Sequence, residues 1–161
     1  MTGAPAMTEP PVTTAPPALS GRLCCTCHVG GLRLGVDVDR VQEVLRRQIV
    51  TPVPLAGRGV SGLLNLRGQI VTVVDVRGLL GLAGRDAGEE GVHVIVRADA
   101  ELTSLVVDAV GDVVGVSAGD VERVPPTVDR NLRSYLSGAL QLDSGLLLLL
   151  DTDRVASVVG G

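Results

Sequence analysis

From Leu23 onward, apolar and polar residues alternate over short runs separated by turn signals, the pattern of many short β-strands. In LCCTCHV, Leu23, Cys25, Cys27 and Val29 share one phase, and Cys24, Thr26 and His28 the other. This predicts a half-buried strand with two thiols inside and the Cys24 thiol outside. Gly30-Gly31 can take the positive φ angles of a two-residue hairpin turn, after which Leu32, Leu34 and Val36 face inward and Arg33 outward. The period changes at DRVQEVLRR. Asp39 is placed to cap a helix, Gln42 sits at the capping-box position, and Val41, Val44 and Leu45 form one apolar face. Two prolines and two glycines break TPVPLAGRG into a loop.

LLNLRGQIVTVVD predicts two strands joined at Arg67-Gly68, and VRGLLGL a short helix capped by Asp75. AGRDAGEEG reads as an exposed, charged connector. VHVIVR and LTSLVVDAV predict strands joined through ADAE, and GDVVGVS continues that sheet. VERVPPTVDRN is broken by proline, GALQLDSGLLLLLD is a hairpin across Asp143-Ser144-Gly145, and TDRVASVV closes the chain as a short helix. Middle strands such as QIVTVVD are apolar on both faces, so they need cover on both. The expected fold is all-β with short helices, as one or two small barrels whose lobes pack together.

Composition narrows the function. The 161 residues suffice for one domain with a sizeable core or for two small lobes, and 45% hydrophobic with 20% charged residues suits a soluble globular chain. A net charge of -4 offers no basic face, and Tyr135 is the only aromatic, so stacking platforms are missing as well; nucleic acid is not an expected partner. Residues 1–21, MTGAPAMTEPPVTTAPPALSG, have no basic or apolar export region and read as a disordered leader ahead of a folded domain over 22–159. No apolar run approaches the roughly 20 residues of a membrane helix, so no direct membrane insertion is expected, and the location is expected to be cytoplasmic.

Candidate chemistry is sparse. Cys24 to His28 has the C-x-x-C-H spacing of c-type haem attachment, but alternation sends Cys24 and Cys27 to opposite faces of a strand. Zinc would need four ligands, and only His93 remains as a distant candidate. There is no nucleophile elbow, phosphate loop, HExxH or paired-acid motif, so no catalytic residue, cofactor or metal is expected. Both His28 and His93 fall on the polar phase of their strands and are expected to face solvent. A binding module becomes the leading class, with a redox or metal sensor using the three cysteines as its competitor.

Four segments in order carry a resemblance: VDVDRVQEVLR, GLLNLRGQIVTVVDVRGLLGL, VVDAVGDVVGV and YLSGALQLDSGLLLLLDTDRV. Together they resemble the CheW family of chemosensory coupling proteins. The resemblance implies two intertwined five-stranded β-barrels of SH3-like or OB-like form around a shared hydrophobic interface. It implies an adaptor without catalysis, recruited to membrane receptor arrays, that links the cytoplasmic tip of methyl-accepting chemoreceptors to the regulatory domain of the histidine kinase CheA. A coupling role in a non-flagellar chemosensory pathway fits the same resemblance.

Glu43 matches the acidic residue of the family's V-x-E-V helix and Arg67 the arginine of N-L-R-G, which places them near one another beside the partner-binding surface. Asn65 and Gly68 shape that turn, and Gly62 precedes its strand. Val41 and Val44 become walls of a groove between the barrels. Asp75 and Arg77 match a D-x-R, Asp108 the V-D-x-V segment, and Gly138 the glycine before the last hairpin. Where the family usually has proline, this chain has Thr72. Duller roles stay open: Glu43 pairing with Arg47 one helical turn on, and the glycines serving backbone geometry.

Overall fold

A computed structural model describes residues 21–84 and 90–160, with side chains through Ser157. Ten strands follow one another as β1 (Gly21–Val29), β2 (Leu32–Asp37), β3 (Val41–Arg46), β4 (Val60–Leu66), β5 (Gln69–Asp75), β6 (Val92–Ala98), β7 (Glu101–Val107), β8 (Ala109–Ser117), β9 (Leu136–Leu142) and β10 (Gly145–Leu150). Helices α1 (Val76–Leu79), α2 (Arg130–Arg133) and α3 (Thr152–Gly160) are short. Residues 1–20 of the expected leader and 85–89 of the expected connector lie outside the described residues, whereas Gly21, assigned to the leader, opens β1.

The strands form two five-stranded sheets, ordered β8-β1-β2-β10-β9 in a first lobe and β3-β6-β7-β5-β4 in a second. Their pairing senses match step for step: antiparallel, antiparallel, parallel, antiparallel. Each sheet curls until its last strand meets the segment that follows its first. Thr51, beyond β3, exchanges backbone hydrogen bonds of 2.8 and 2.9 Å with Leu63 of β4; Glu122, beyond β8, does the same with Ala139 of β9 at 2.8 and 2.9 Å. The two closures produce two small barrels, the fold the resemblance implied. Thr72 sits in the regular ladder, opposite Leu63 on one side and Thr103 on the other.

Three clusters of side chains hold this arrangement. Leu64, Leu66, Val71, Val73, Ile95, Leu102 and Val106 fill the second barrel, and Cys24, Val116, Leu140, Leu147 and Leu149 fill the first. The third and largest lies between the lobes, where Cys25, Cys27, Val29, Leu34 and Val36 meet Val92, Val94, Val96, Leu105 and Val107. Alternation along each strand therefore supplies two cores, one residue into the barrel and the next into the interface.

Several expectations change. The segment Asp39–Arg47 is not a helix: a 3-10 turn over Val38–Arg40 leads directly into the strand β3. A β-bulge explains the helical spacing. Val41 lies opposite Val96 and Val44 opposite Val94, with the register shifting between Val41 and Glu43, so residues three apart share one face. Cys24 is buried, because the phase of β1 that would face water in a flat sheet turns into the first barrel. Leu23, expected inside, is exposed at the end of that strand. His93 is also buried. It lies on the inner phase of β6, where its Nδ1 and the Ser104 hydroxyl share a 2.9 Å hydrogen bond. GDVVGVS does not continue the sheet of β7; β8 changes lobes and pairs with β1. Asp75 caps α1 as expected, its carboxylate accepting from the Arg77 amide at 3.1 Å.

The fully buried Leu34 of β2 and the partly exposed Leu146 of β10 separate core from surface. Leu34→Ala is expected to lower the unfolding free energy by about 2–5 kcal/mol in urea titrations. Leu146→Ala is expected to change it by less than about 1 kcal/mol.

Candidate functional site

The β4–β5 hairpin turns on two residues with positive φ, Arg67 at 50° and Gly68 at 89°. Asn65 stabilises the turn, its side-chain oxygen accepting from the Gly68 amide at 2.8 Å. Glycine is at home in this backbone region, but an L-residue such as arginine pays roughly 1–2 kcal/mol there. The guanidinium so placed spans from the hairpin to the first strand of the same lobe, where Arg67 Nη2 donates to Glu43 Oε2 on β3. Glu43 and Arg67, expected near one another, thus form an ion pair. The alternative pairing with Arg47 is absent, since β3 is a strand and Arg47 instead meets Glu90 at 3.3 Å.

This pair contributes little to folding. Arg67 keeps 67% of its side chain in water and Glu43 24%, and pairs of this kind are worth about 0.2–1 kcal/mol. Apolar residues close to the pair in the sequence are also exposed. Val44, beside Glu43, is 43% exposed, and Ile70, three residues beyond Arg67, is 60% exposed. Ile49, Val53 and Leu55 are exposed on the segment that closes the barrel. Five of the eight exposed large apolar residues among those described thus belong to β3, β5 and the segment after β3 (Val44, Ile49, Val53, Leu55 and Ile70). Ile70 escaped the sequence reading because QIVTVVD is apolar on both faces; its place opposite Asn65, next to the turn, was the available signal.

The other candidates have different surroundings. Val41 is half-buried and packs against the interlobe core, whose packed centre leaves only its margin open to a partner. Gly62 and Gly138 are places of close approach. A Cβ on Gly62, at φ 151°, would lie 2.1 Å from the Thr51 carbonyl oxygen, and one on Gly138 would lie 2.7 Å from Val121 Cγ1. Both sit beside the bridges that close the barrels. Asp108 is half-buried and bonded to Arg77 and to the Gly30 amide.

The thiols are poorly placed for chemistry. Cys24, Cys25 and Cys27 are all buried and free. Burial, reinforced by the Asp37 charge, pushes the Cys24 thiol up to about 11 from an ordinary value near 9. Burial likewise raises Cys25 and Cys27. A thiol sensor needs an accessible thiolate, which this burial opposes. A cleft of about 310 Å³ opens at the seam of the first lobe, and its polar side chains are those of Asp120, Glu122 and Gln141. Among the described residues, no three His, Cys, Asp or Glu side chains cluster as metal ligands.

The geometry defines a two-lobed β-barrel protein whose second lobe carries an exposed ion pair and several exposed apolar residues. The chain belongs to the CheW-like domain family, whose model matches residues 24–159. It is 29% identical over 135 residues to the chemotaxis protein CheW of Rhizobium meliloti, covering 84% of this chain and 87% of that one. It is 27% identical over 136 residues to that of Treponema pallidum, covering 82% and 80%. The crystal structure of the scaffolding protein TtCheW from Thermoanaerobacter tengcongensis has the same fold, with a TM-score of 0.72 at 24% identity, over 81% of this chain and 88% of that one. The chain is accordingly a chemotaxis coupling adaptor of a scaffold family rather than of an enzyme family.

The raised thiols make stability depend on pH. A group whose folded pKa lies above its unfolded value stabilises the fold below the unfolded value and loses that contribution as pH rises. Stability is therefore expected to fall between about pH 9 and pH 11, the window for Cys24, and a Cys24→Ala variant should show a shallower decline in urea midpoint.

Proposed function

We propose that this chain physically couples methyl-accepting chemoreceptors to the histidine kinase CheA in the cytoplasm, binding the kinase's regulatory domain and the receptor's helical cytoplasmic tip without making or breaking covalent bonds. The observation that carries this reading is the exposed Arg67–Glu43 pair in a lobe that also leaves large apolar side chains in water. Protein interfaces combine apolar anchors with a polar rim, and here Val44 and Ile70 supply anchors while Arg67 and Glu43 supply register. Asn65 and Gly68 hold the turn that presents Arg67. Val41 contributes at the margin between lobes, and Gly62 and Gly138 act by keeping the barrels closed. No described helix is long and apolar enough to cross a membrane, in keeping with a protein that reaches membrane arrays through its partners. A rigid connector of this kind acts on the kinase by favouring one of its pre-existing conformations.

Charge reversal tests the site. Arg67→Glu places two carboxylates together at a surface whose contribution to folding is small. Isothermal titration against a CheA regulatory domain and against a receptor-tip fragment is expected to show at least about a tenfold loss for one of them. The thermal midpoint is expected to move by no more than a few degrees, as for a surface pair worth about 1 kcal/mol or less. Undiminished affinity for both partners overturns the assignment.

A further inference from the structure

The chain passes between its lobes twice among the described residues, from β2 to β3 and from β7 to β8. The first crossing is a 3-10 turn whose Arg40 holds Asp153 of α3 through bonds of 2.8 and 3.0 Å. The second is a single residue, Asp108, between Val107 at the end of β7 and Ala109 at the start of β8. A one-residue junction leaves the course of the chain to whatever holds that residue.

Asp108 is held from both lobes. Its amide donates to the His28 carbonyl of β1 at 2.9 Å, and its Oδ2 accepts from the Gly30 amide of the β1–β2 hairpin at 2.7 Å, both in the first lobe. The same carboxylate accepts from Arg77 Nε at 2.8 Å and Arg77 Nη2 at 2.7 Å, a two-pronged grip on α1 of the second lobe. Arg77 continues the chain of contacts by donating from Nη1 to the Ala83 carbonyl at 2.8 Å. The following segment seats Leu82 against the same hairpin, with its Cδ1 3.0 Å from where a Cβ on Gly30 would stand. The Arg77 and Asp108 side chains are 19% and 26% exposed, against 38% and 49% for Arg40 and Asp153, so the second crossing is the drier one.

We propose that Arg77 and Asp108 form an interlobe latch: positioning residues that fix the angle between the two barrels, and through it the relative placement of the surfaces that engage partners. The shared core holds the lobes together, but apolar contact is non-directional and tolerates small rotations. A bidentate guanidinium–carboxylate pair anchored to a backbone amide has a defined geometry and removes that freedom. The consequence for partners rests on the function proposed above; the effect on lobe geometry does not.

The test uses the full chain with spin labels at Glu101→Cys on β7 and Asp143→Cys in the β9–β10 turn, both exposed, while the native thiols are buried. The unsubstituted latch is expected to give one narrow interlobe distance by pulsed dipolar spectroscopy. Arg77→Met/Asp108→Asn removes both charges together while leaving an oxygen for the Gly30 amide, and is expected to broaden that distribution by about twofold with a single cooperative unfolding transition retained. Arg77→Lys, which keeps the charge and loses the fork, is expected to fall between the two. Affinity for the kinase domain and receptor tip is expected to drop about tenfold in the double variant although Arg67 and Glu43 are untouched. Unchanged narrow distances in both variants overturn the latch. Broadened distances with unchanged affinity overturn its role in placing the partner surfaces. A parent chain that binds neither partner overturns the functional reading, and the distance measurement then decides the latch by itself.

Discussion

A strand with apolar side chains on both faces has to be covered twice, and this requirement organises the whole molecule. Val92, Val94 and Val96 of β6 point into the interface, and Ile95, on the opposite face of the same strand, points into the second barrel. Cys25 and Cys27 of β1 do the former in the first lobe, and Cys24 the latter. Neither barrel can leave its interface face in water, so the two lobes bury one another. Area removed from water sets the size of this term, at about 25 cal/mol per Å² of apolar surface. The chain order adds to it. The first lobe is assembled from β1 and β2 near the N-terminus with β8, β9 and β10 near the C-terminus, around a second lobe formed by the residues between.

Packing fills the centre of the molecule, and its exposed apolar residues and ion pairs lie at the periphery. The hairpin tips and closing segments carry the residues that break local rules: Arg67 in a left-handed conformation, and Leu55 with positive φ in full contact with water. The arginine in that backbone region is held by β4 and β5 on either side of it. Among the described residues, most exposed large apolar side chains belong to β3, β5 and the segment after β3, in the lobe that also carries the Arg67–Glu43 pair.

Much of this was legible from sequence. The turns at Gly30-Gly31 and Arg67-Gly68, the capped α1 and the terminal helix follow from local chemistry and stand where expected, and of the turn expected over Asp143-Ser144-Gly145 only Gly145 differs, opening β10. The residues that misled did so for three-dimensional reasons. A bulge gave Val41 and Val44 a spacing of three, which in sequence is indistinguishable from a helical face. Closure of the first sheet into a barrel buried Cys24, a consequence that a two-residue period does not contain. His93 was assigned to solvent by phase, but β6 is covered on both faces, by its own barrel on one and the other lobe on the other, and Ser104 bonds the buried ring. The break at Asp108, where β8 leaves one sheet for the other, has no local signal, because Val107 and Ala109 read as one continuous strand. Glu43 and Arg67 were brought together by the family resemblance, whereas Ile70 emerged only from its measured exposure.

The central claim is that the interlobe core makes the two barrels one cooperative body. Native-state hydrogen exchange in rising urea, resolved by mass spectrometry, tests it most directly. Peptides from residues 21–37 and 109–150 report the first lobe, and those from 41–107 the second. The most protected amides of both lobes should open with one free energy and one urea dependence. If the second lobe's amides exchange through a smaller opening while the first lobe stays protected, the barrels are independent units and the account is wrong.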